Sequence, residues 1–217
     1  MIIIKDKIKA FIFDLDGVIT DTAKYHYLGW KRLAEEEGID FSKEDNEELR
    51  GVSRRKSLEI LLDGREVSEE EKEEMMERKN GYYQEFINEI TEEDLLPGIK
   101  EIIMELRKRN FKLAVASSSR NVKPVIKNLG VGDIFDTISD GHSVNNAKPA
   151  PDIFLHTAEK LEVAPESCVV IEDAKAGIVA ALRANMIAVG IGPDARVGKA
   201  HYRYDQVKDI ELEEILG

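Results

Sequence analysis

Two carboxylates stand two positions apart beside a glycine near the start of the chain, in the run Asp14-Leu15-Asp16-Gly17. A carboxylate oxygen can attack a phosphorus atom, and a second carboxyl group can move the proton of a sugar hydroxyl. Because alternate residues of an extended chain point to the same side, Asp14 and Asp16 can serve one reacting centre. This run is therefore where a phosphoryl group could be handled.

The residues that precede these carboxylates predict a buried parallel strand. Residues 8–13 are mostly apolar and rich in aromatic and β-branched side chains, a pattern typical of such strands. Ligands of open α/β sheets bind beyond the carboxyl ends of the strands. We therefore expect Asp14 and Asp16 at the ligand-binding edge of a sheet.

Helical and strand patterns alternate from residue 97 onward. Strands are predicted over 112–117, 168–172 and 187–191, and helices over 123–129, 152–161 and 174–184. This alternation is typical of a parallel sheet with helices on both faces. The predicted fold class is α/β, with a Rossmann-like parallel-sheet core.

The stretch between the first strand and residue 90 contains only helical patterns, so the sequence predicts an inserted all-α cap. Helices are expected over 54–62 and 68–90, the second opening on a capping box. The predicted division is a core of 1–21 and 94–217 and a cap of 22–93. Two chain crossings, near residues 20–22 and 92–97, would join the cap to the core and could act as a hinge.

Composition narrows the classes of function. The chain has 217 residues, 42% of them hydrophobic, and a net charge of -12, which disfavours binding to nucleic acid or to an anionic membrane. Its one cysteine, Cys168, excludes an internal disulfide framework and indicates a buried thiol. With no signal-peptide core or membrane-spanning segment recognised, we expect a soluble, cytoplasmic monomer.

Three further stretches complete a set of motifs. Ser117 closes the second strand, Lys148-Pro149 precedes the helix at 152–161, and Glu172-Asp173 closes the strand at 168–172. With the Asp14 run, in this order and context, they resemble the haloacid dehalogenase superfamily of phosphoryl-transfer enzymes. The resemblance covers nearly the whole chain.

The resemblance implies a role for each motif. Asp14 would be the nucleophile that forms an aspartyl phosphate, and Asp16 the general acid and base. Lys148 would neutralise charge on the transferring group, and the Ser117 hydroxyl would donate to one of its oxygens. A cis peptide bond before Pro149 is implied as well.

An anionic nucleophile and an anionic substrate need a hard cation between them, which means one Mg²⁺ per subunit. The resemblance implies Asp14, Asp173 and the main-chain carbonyl of Asp16 as its ligands, with Glu172 assisting.

The cap carries the runs Tyr25-His26, Gly51-Val52-Ser53-Arg54 and Arg78-Lys79-Asn80. With these runs it is similar to the helical-cap sugar-phosphate mutases of this superfamily. That similarity implies a small-molecule sugar phosphate as the partner, and interconversion of β-glucose 1-phosphate and glucose 6-phosphate. The implied intermediate is β-glucose 1,6-bisphosphate, which would also be the activator. The residues implied to bind the substrate are Thr22, His26, Trp30, Gly51, Val52, Ser53, Arg54, Lys79, Ser117, Ser118, Ser119, Arg120 and Asn121.

A mutase needs a second phosphate site, far from the nucleophile, for the end of the sugar that does not react. Arg54 is the candidate, because its planar fork suits bidentate phosphate contacts, and Ser119 with Asn121 could complete the site. His26 would couple cap closure to the placement of Asp16, and Lys79 would recognise the substrate.

Other hypotheses for the function stay open at this point. A sugar phosphatase would use the same core motifs and let water take the phosphoryl group. A catalytically silent binding domain would have lost an aspartate, and both are present. A phosphonate-cleaving enzyme would need Lys79 placed to form a Schiff base. Trp30 and Tyr27 also fit the apolar interior of the cap better than a sugar-stacking platform.

Overall fold

The computed structural model describes residues 8–49 and 52–217. Within these ranges six strands form one parallel sheet in the order β3-β2-β1-β4-β5-β6. The strands are β1 Ala10–Phe13, β2 Lys112–Ala116, β3 Thr137–Ser139, β4 Cys168–Glu172, β5 Ile187–Ile191 and β6 Tyr202–Tyr204. The predicted α/β class is confirmed.

Strand β1 lies near the middle of the sheet, where Phe13 is in register with Val115 of β2 and Ile171 of β4. All four residues of β1 are buried, and alternate side chains enter two separate apolar clusters on opposite faces. Burial on both faces explains why the strand reads as a continuous apolar run. The chain therefore delivers Asp14 to the centre of the carboxyl edge.

Helices cover both faces of the sheet. They are α5 Ile99–Lys108, α6 Val122–Asn128, α7 Asp152–Leu161, α8 Lys175–Arg183, α9 Asp194–Val197 and α10 Leu212–Leu216. The predicted helices at 123–129, 152–161 and 174–184 correspond to α6, α7 and α8. Two short strands, β3 and β6, were not predicted, because three residues are too few to show a periodic pattern.

The inserted cap is all helical in the described residues. It contains α1 Ala23–Glu36, α2 Lys43–Glu47, α3 Arg54–Leu62 and α4 Glu69–Ile87. These helices have their own apolar cluster, which includes Trp30, Leu33 and Leu58, so Trp30 does contribute to the cap interior. The predicted capping box at Ser68 and Glu71 is present.

The two crossings between cap and core are hydrogen-bonded to each other. The Thr20 hydroxyl donates to the Asp94 carbonyl at 2.7 Å, and the Leu96 amide donates to the Ile19 carbonyl at 2.9 Å. At the end of α4, Tyr83 and Ile87 join the apolar cluster of the core. The exact domain boundaries stay a prediction. In the described part of the chain, no helix is long and apolar enough to cross a membrane.

Candidate active site

The turn after β1 holds the two carboxylates. The Asp14 amide donates to the Ile171 carbonyl at 2.9 Å and so continues the sheet, and the Asp16 amide donates to Asp14 Oδ2 at 3.0 Å. Gly17 follows with a φ of 78°. A Cβ there would overlap the Asp173 carboxylate, so only glycine lets the turn and that carboxylate approach each other.

Lys148 is a buried cation beside Asp14. Its Nζ lies 2.6 Å from Asp14 Oδ1, 2.8 Å from Glu172 Oε1 and 3.2 Å from the Ala116 carbonyl oxygen. An ammonium group has three protons to donate, and all three have an acceptor here. The peptide bond that follows it is cis, as the resemblance implied.

The pKa values of this pair leave both groups charged at neutral pH. Burial raises the pKa of Asp14 to about 6, even though the Lys148 cation opposes the shift. Burial alone would lower the pKa of Lys148, but the carboxylates of Asp14 and Glu172 raise it above its usual value. Asp14 is therefore mainly a carboxylate at pH 7, the form that can act as a nucleophile.

The acidic residues fit a hard cation. Asp14, Glu172 and Asp173 are buried, and each offers a carboxylate oxygen within 4.8 Å of the others. Glu172 also accepts from Lys148 and, through Oε2, from the Ala174 amide at 2.6 Å. Both of its oxygens are thus engaged, so Glu172 is best suited to orienting Lys148, while Asp14 and Asp173 supply the oxygens that Mg²⁺ prefers.

Asp16 differs from Asp14 in its surroundings. Its Oδ1 is buried with no hydrogen-bond partner among the described residues, and its Oδ2 lies 3.9 Å from Nε2 of His26. Burial, followed by the charges of Asp14 and Asp173, raises the pKa of Asp16 well above its usual value. Asp16 therefore keeps its proton to a higher pH than an ordinary aspartate, as a general acid beside a nucleophile requires.

The cap approaches Asp16 through a lysine and a histidine. Lys79 Nζ lies 2.8 Å from His26 Nδ1. Burial, then the charge of Lys79, lowers the pKa of His26 well below 6.5, and burial, then the charge of Arg54, lowers the pKa of Lys79 to about 7. His26 is therefore neutral, and its Nε2 faces the carboxyl group of Asp16.

The far end of the site is basic. Arg54 is the first residue of α3, which Ser53 caps by accepting from the Lys56 amide. Burial, then the nearby charge of Arg120, lowers the pKa of Arg54 to about 10. Arg54 at the start of α3 and Arg120 of the core loop line one cavity, and two guanidinium groups suit an anion.

The loop after β2 connects the two ends. The Ser119 amide donates to the Ser117 hydroxyl at 3.1 Å, and the Asn121 amide donates to the Ser119 hydroxyl at 3.2 Å. This chain of turns carries the backbone from the buried Ser117, near the nucleophile, toward Arg120 at the basic end.

One cavity of about 500 Å³ contains both ends. The predicted site residues that line it are Asp14, Asp16, His26, Trp30, Val52, Ser53, Arg54, Lys79, Ser117, Ser118, Ser119, Arg120, Lys148 and Asp173. Three predicted residues of the described chain, Thr22, Asn121 and Glu172, are buried and do not line this cavity. Gly51 lies outside the described residues.

Some residues at the site were not assigned a role from the sequence. Asn80 and Gln84 of α4 bond to the loop after β2, and Tyr83 stacks on His26 with ring centroids 4.1 Å apart. The spacing of Lys79 and Tyr83 places both on one helix face, which is a signal that the sequence contained. Arg196 lies 3.9 Å from Asp173 and 3.7 Å from Glu47 of the cap. No local sequence pattern predicts this position for Arg196.

The fold and this site are those of a phosphoryl-transfer protein, and comparison with known proteins identifies its family. Residues 8–185 match the haloacid dehalogenase-like hydrolase family, and the chain belongs to this family.

Individual proteins are similar to this chain over most of its length. The chain is 47% identical to the Beta-phosphoglucomutase of Bacillus subtilis, over 94% of this chain and 92% of that protein. It is 32% identical to the Phosphorylated carbohydrates phosphatase of Thermotoga maritima, over 96% of each. The crystal structure of a beta-phosphoglucomutase from Clostridium difficile matches with a TM-score of 0.93 and 46% identity, over 96% of this chain and 95% of that one.

Proposed function

We propose that the protein is a β-phosphoglucomutase, which interconverts β-D-glucose 1-phosphate and D-glucose 6-phosphate. The observation that carries the proposal is one cavity lined both by the nucleophilic Asp14 and by two arginines, Arg54 and Arg120. A mutase must hold one phosphate while it transfers the other. The 47% identity to a β-phosphoglucomutase supports the same conclusion.

The first half-reaction starts from enzyme phosphorylated on Asp14. The 6-hydroxyl of β-glucose 1-phosphate attacks the phosphorus, Asp16 takes the hydroxyl proton, and the bond from phosphorus to the Asp14 oxygen breaks. This step yields β-glucose 1,6-bisphosphate and a free Asp14 carboxylate. Asp16 now holds the proton that the reverse direction requires.

The second half-reaction uses the bisphosphate in the opposite orientation. Asp14 attacks the phosphorus at carbon 1, the bond from that phosphorus to the sugar oxygen breaks, and Asp16 returns its proton to this oxygen. Glucose 6-phosphate leaves and phosphorylated Asp14 remains. We also propose the bisphosphate as the activator, since it phosphorylates enzyme that has lost its phosphoryl group.

Charge at the reacting end is balanced by this chain's own residues. Lys148, already 2.6 Å from Asp14, and the Ser117 hydroxyl would donate to the oxygens of the transferring group. Asp14, Asp173 and the main-chain carbonyl of Asp16 would hold Mg²⁺, which when bound screens the repulsion between two anions.

Exclusion of water decides whether such an enzyme is a mutase or a phosphatase. We propose that residues 22–93 move as the cap, about the hydrogen-bonded crossings at Thr20 and Leu96. Closure would shield phosphorylated Asp14 until the sugar presents its second hydroxyl.

A sugar-phosphate phosphatase is the second candidate, because the Thermotoga maritima relative carries such a name. It would use the same Asp14, Asp16 and Lys148. The basic end of the cavity favours the mutase, since a phosphatase of a monophosphate has no second phosphate to hold.

One assay separates the two functions. The enzyme receives β-glucose 1-phosphate, magnesium and a trace of β-glucose 1,6-bisphosphate, and glucose 6-phosphate and free phosphate are followed together. We expect glucose 6-phosphate with little free phosphate. Stoichiometric release of phosphate without isomerised sugar would support the phosphatase instead.

We also propose that the protein is a monomer located in the cytoplasm.

Burial, then the charge of Glu166, raises the pKa of the Cys168 thiol to about 12. A thiol that stays protonated is unreactive, which agrees with a structural role for this residue.

Replacing Arg54 tests the second phosphate site. We expect Arg54→Ala to lower kcat/KM of the mutase reaction by about 100-fold, because a charged, bidentate phosphate contact is lost. Acetyl phosphate occupies only the Asp14 end, so its rate of phosphorylating Asp14 should stay within about twofold of wild type. Arg65→Ala is the matched control, because Arg65 is an exposed cap arginine that donates to the carbonyls of Glu37 and Gly38. Equal losses in both assays would contradict a distal role for Arg54.

A further inference from the structure

One side-chain oxygen joins the cap to the core at the basic end of the cavity. Oδ1 of Asn80 accepts from Arg54 Nη2 at 2.7 Å and from Asn121 Nδ2 at 2.8 Å. Arg54 and Asn80 belong to the cap, whereas Asn121 belongs to the core. A single acceptor therefore holds two donors together across the domain interface.

A second amide of the same helix fixes Asn121 from its other side. Nε2 of Gln84, one turn after Asn80 on α4, donates to Asn121 Oδ1 at 3.3 Å. Residues four apart on a helix lie on one face, so Asn80 and Gln84 reach Asn121 together. The carbonyl and the amino group of Asn121 each have a partner, and its amide plane has one orientation.

We propose that Asn80 is a positioning residue for the phosphate that does not react, with Gln84 in support. Asn80 holds the Arg54 guanidinium in the orientation that receives this phosphate before the sugar binds, and Asn121 anchors Asn80 to the core. The inference rests on the proposed function, because only an enzyme with a second phosphate site needs such an arrangement.

The chemistry of an amide explains the residue type. Arg54 is partly withdrawn from water and lies near the like charge of Arg120, so its guanidinium needs an acceptor while the site is empty. A carboxylate would satisfy it but would repel the incoming phosphate. A neutral amide oxygen satisfies the guanidinium and leaves the positive charge of the site intact.

The test measures binding apart from turnover. In the Asp14→Asn background, calorimetry gives the Kd of β-glucose 1,6-bisphosphate, which fills both ends of the cavity. We expect Asn80→Ala to raise this Kd about tenfold, through lost orientation of the Arg54 guanidinium. We expect Asn80→Asp to raise it about 100-fold, because the added charge opposes phosphate although Arg54 keeps an acceptor.

Controls separate positioning from general damage. With Asp14 intact, phosphorylation by acetyl phosphate should change by less than about twofold in both variants. Asn88→Ala, an exposed position just beyond α4, should leave the Kd unchanged. Should Asn80→Ala fail to fold, Gln84→Ala replaces it, and we expect that variant to raise the Kd about threefold.

The outcomes distinguish this inference from the proposed function. An unchanged Kd in Asn80→Ala, or equal Kd values in the Ala and Asp variants, would overturn the positioning role. The same would follow from an unchanged Kd in Gln84→Ala if that variant is the one used. If the Kd shifts as expected while the wild-type enzyme produces no glucose 6-phosphate, the positioning role stands and the mutase assignment fails.

Discussion

Asp14→Asn is expected to lower mutase turnover by at least about 10,000-fold, because an amide oxygen cannot form the covalent bond to phosphorus on which both half-reactions depend. The residual rate would come only from binding and from the cations that remain. The measurement is the initial rate of glucose 6-phosphate formation, with mass spectrometry of enzyme treated with acetyl phosphate to detect an attached phosphoryl group.

The variant should still fold, so the loss can be assigned to chemistry. Lys148 keeps Glu172 at 2.8 Å and the Ala116 carbonyl at 3.2 Å, and the side-chain oxygen at position 14 can still accept from the Asp16 amide. We expect a thermal unfolding midpoint close to that of wild type.

A matched replacement completes this experiment. Asp21→Asn changes a nearby exposed aspartate that accepts from the Ala23 amide at the start of α1, and it should keep nearly full activity. Turnover near the wild-type rate in Asp14→Asn, or a phosphoryl group found on another residue of the wild-type enzyme, would refute the covalent scheme.

Much of the core was predictable because buried parallel strands leave a plain signal. The predicted strands at 168–172 and 187–191 coincide with β4 and β5, since burial on both faces demands an unbroken apolar run. Strand β6 sits at the sheet edge with Arg203 exposed, and its three residues carry no such run. The apolar pattern of the sequence therefore predicts the central strands of this sheet better than its edge strands.

The site divides in a similar way. Asp14, Ser117 and Asp173 were located because the topology of a parallel sheet brings strand ends together. The roles of Asn80, Gln84 and Arg196 depend instead on where a cap helix or a remote loop meets the core, which no local spacing encodes. Thr22 was predicted to bind substrate, but the structure buries it at the crossing and it does not line the cavity.

Replacing the second aspartate separates proton transfer from covalent attack. We expect Asp16→Asn to slow glucose 6-phosphate formation by about 1,000-fold, because a sugar oxygen is a poor leaving group without a proton. Phosphorylation of Asp14 by acetyl phosphate should fall by less than about threefold, since acetate leaves readily as an anion.

The pH dependence of the transfer rate tests the same role of Asp16. The pKa of Asp16 is raised well above its usual value, chiefly by burial, so Asp16 carries its proton at low pH and loses it as the pH rises. Transfer from sugar phosphate to Asp14 should therefore decline as the pH rises through that pKa. Asp16→Asn should lack this decline, and so should phosphorylation of the wild-type enzyme by acetyl phosphate. If the variant slowed both phosphodonors equally, Asp16 would be needed to place the nucleophile, because a missing acid cannot hinder a leaving group that needs no proton.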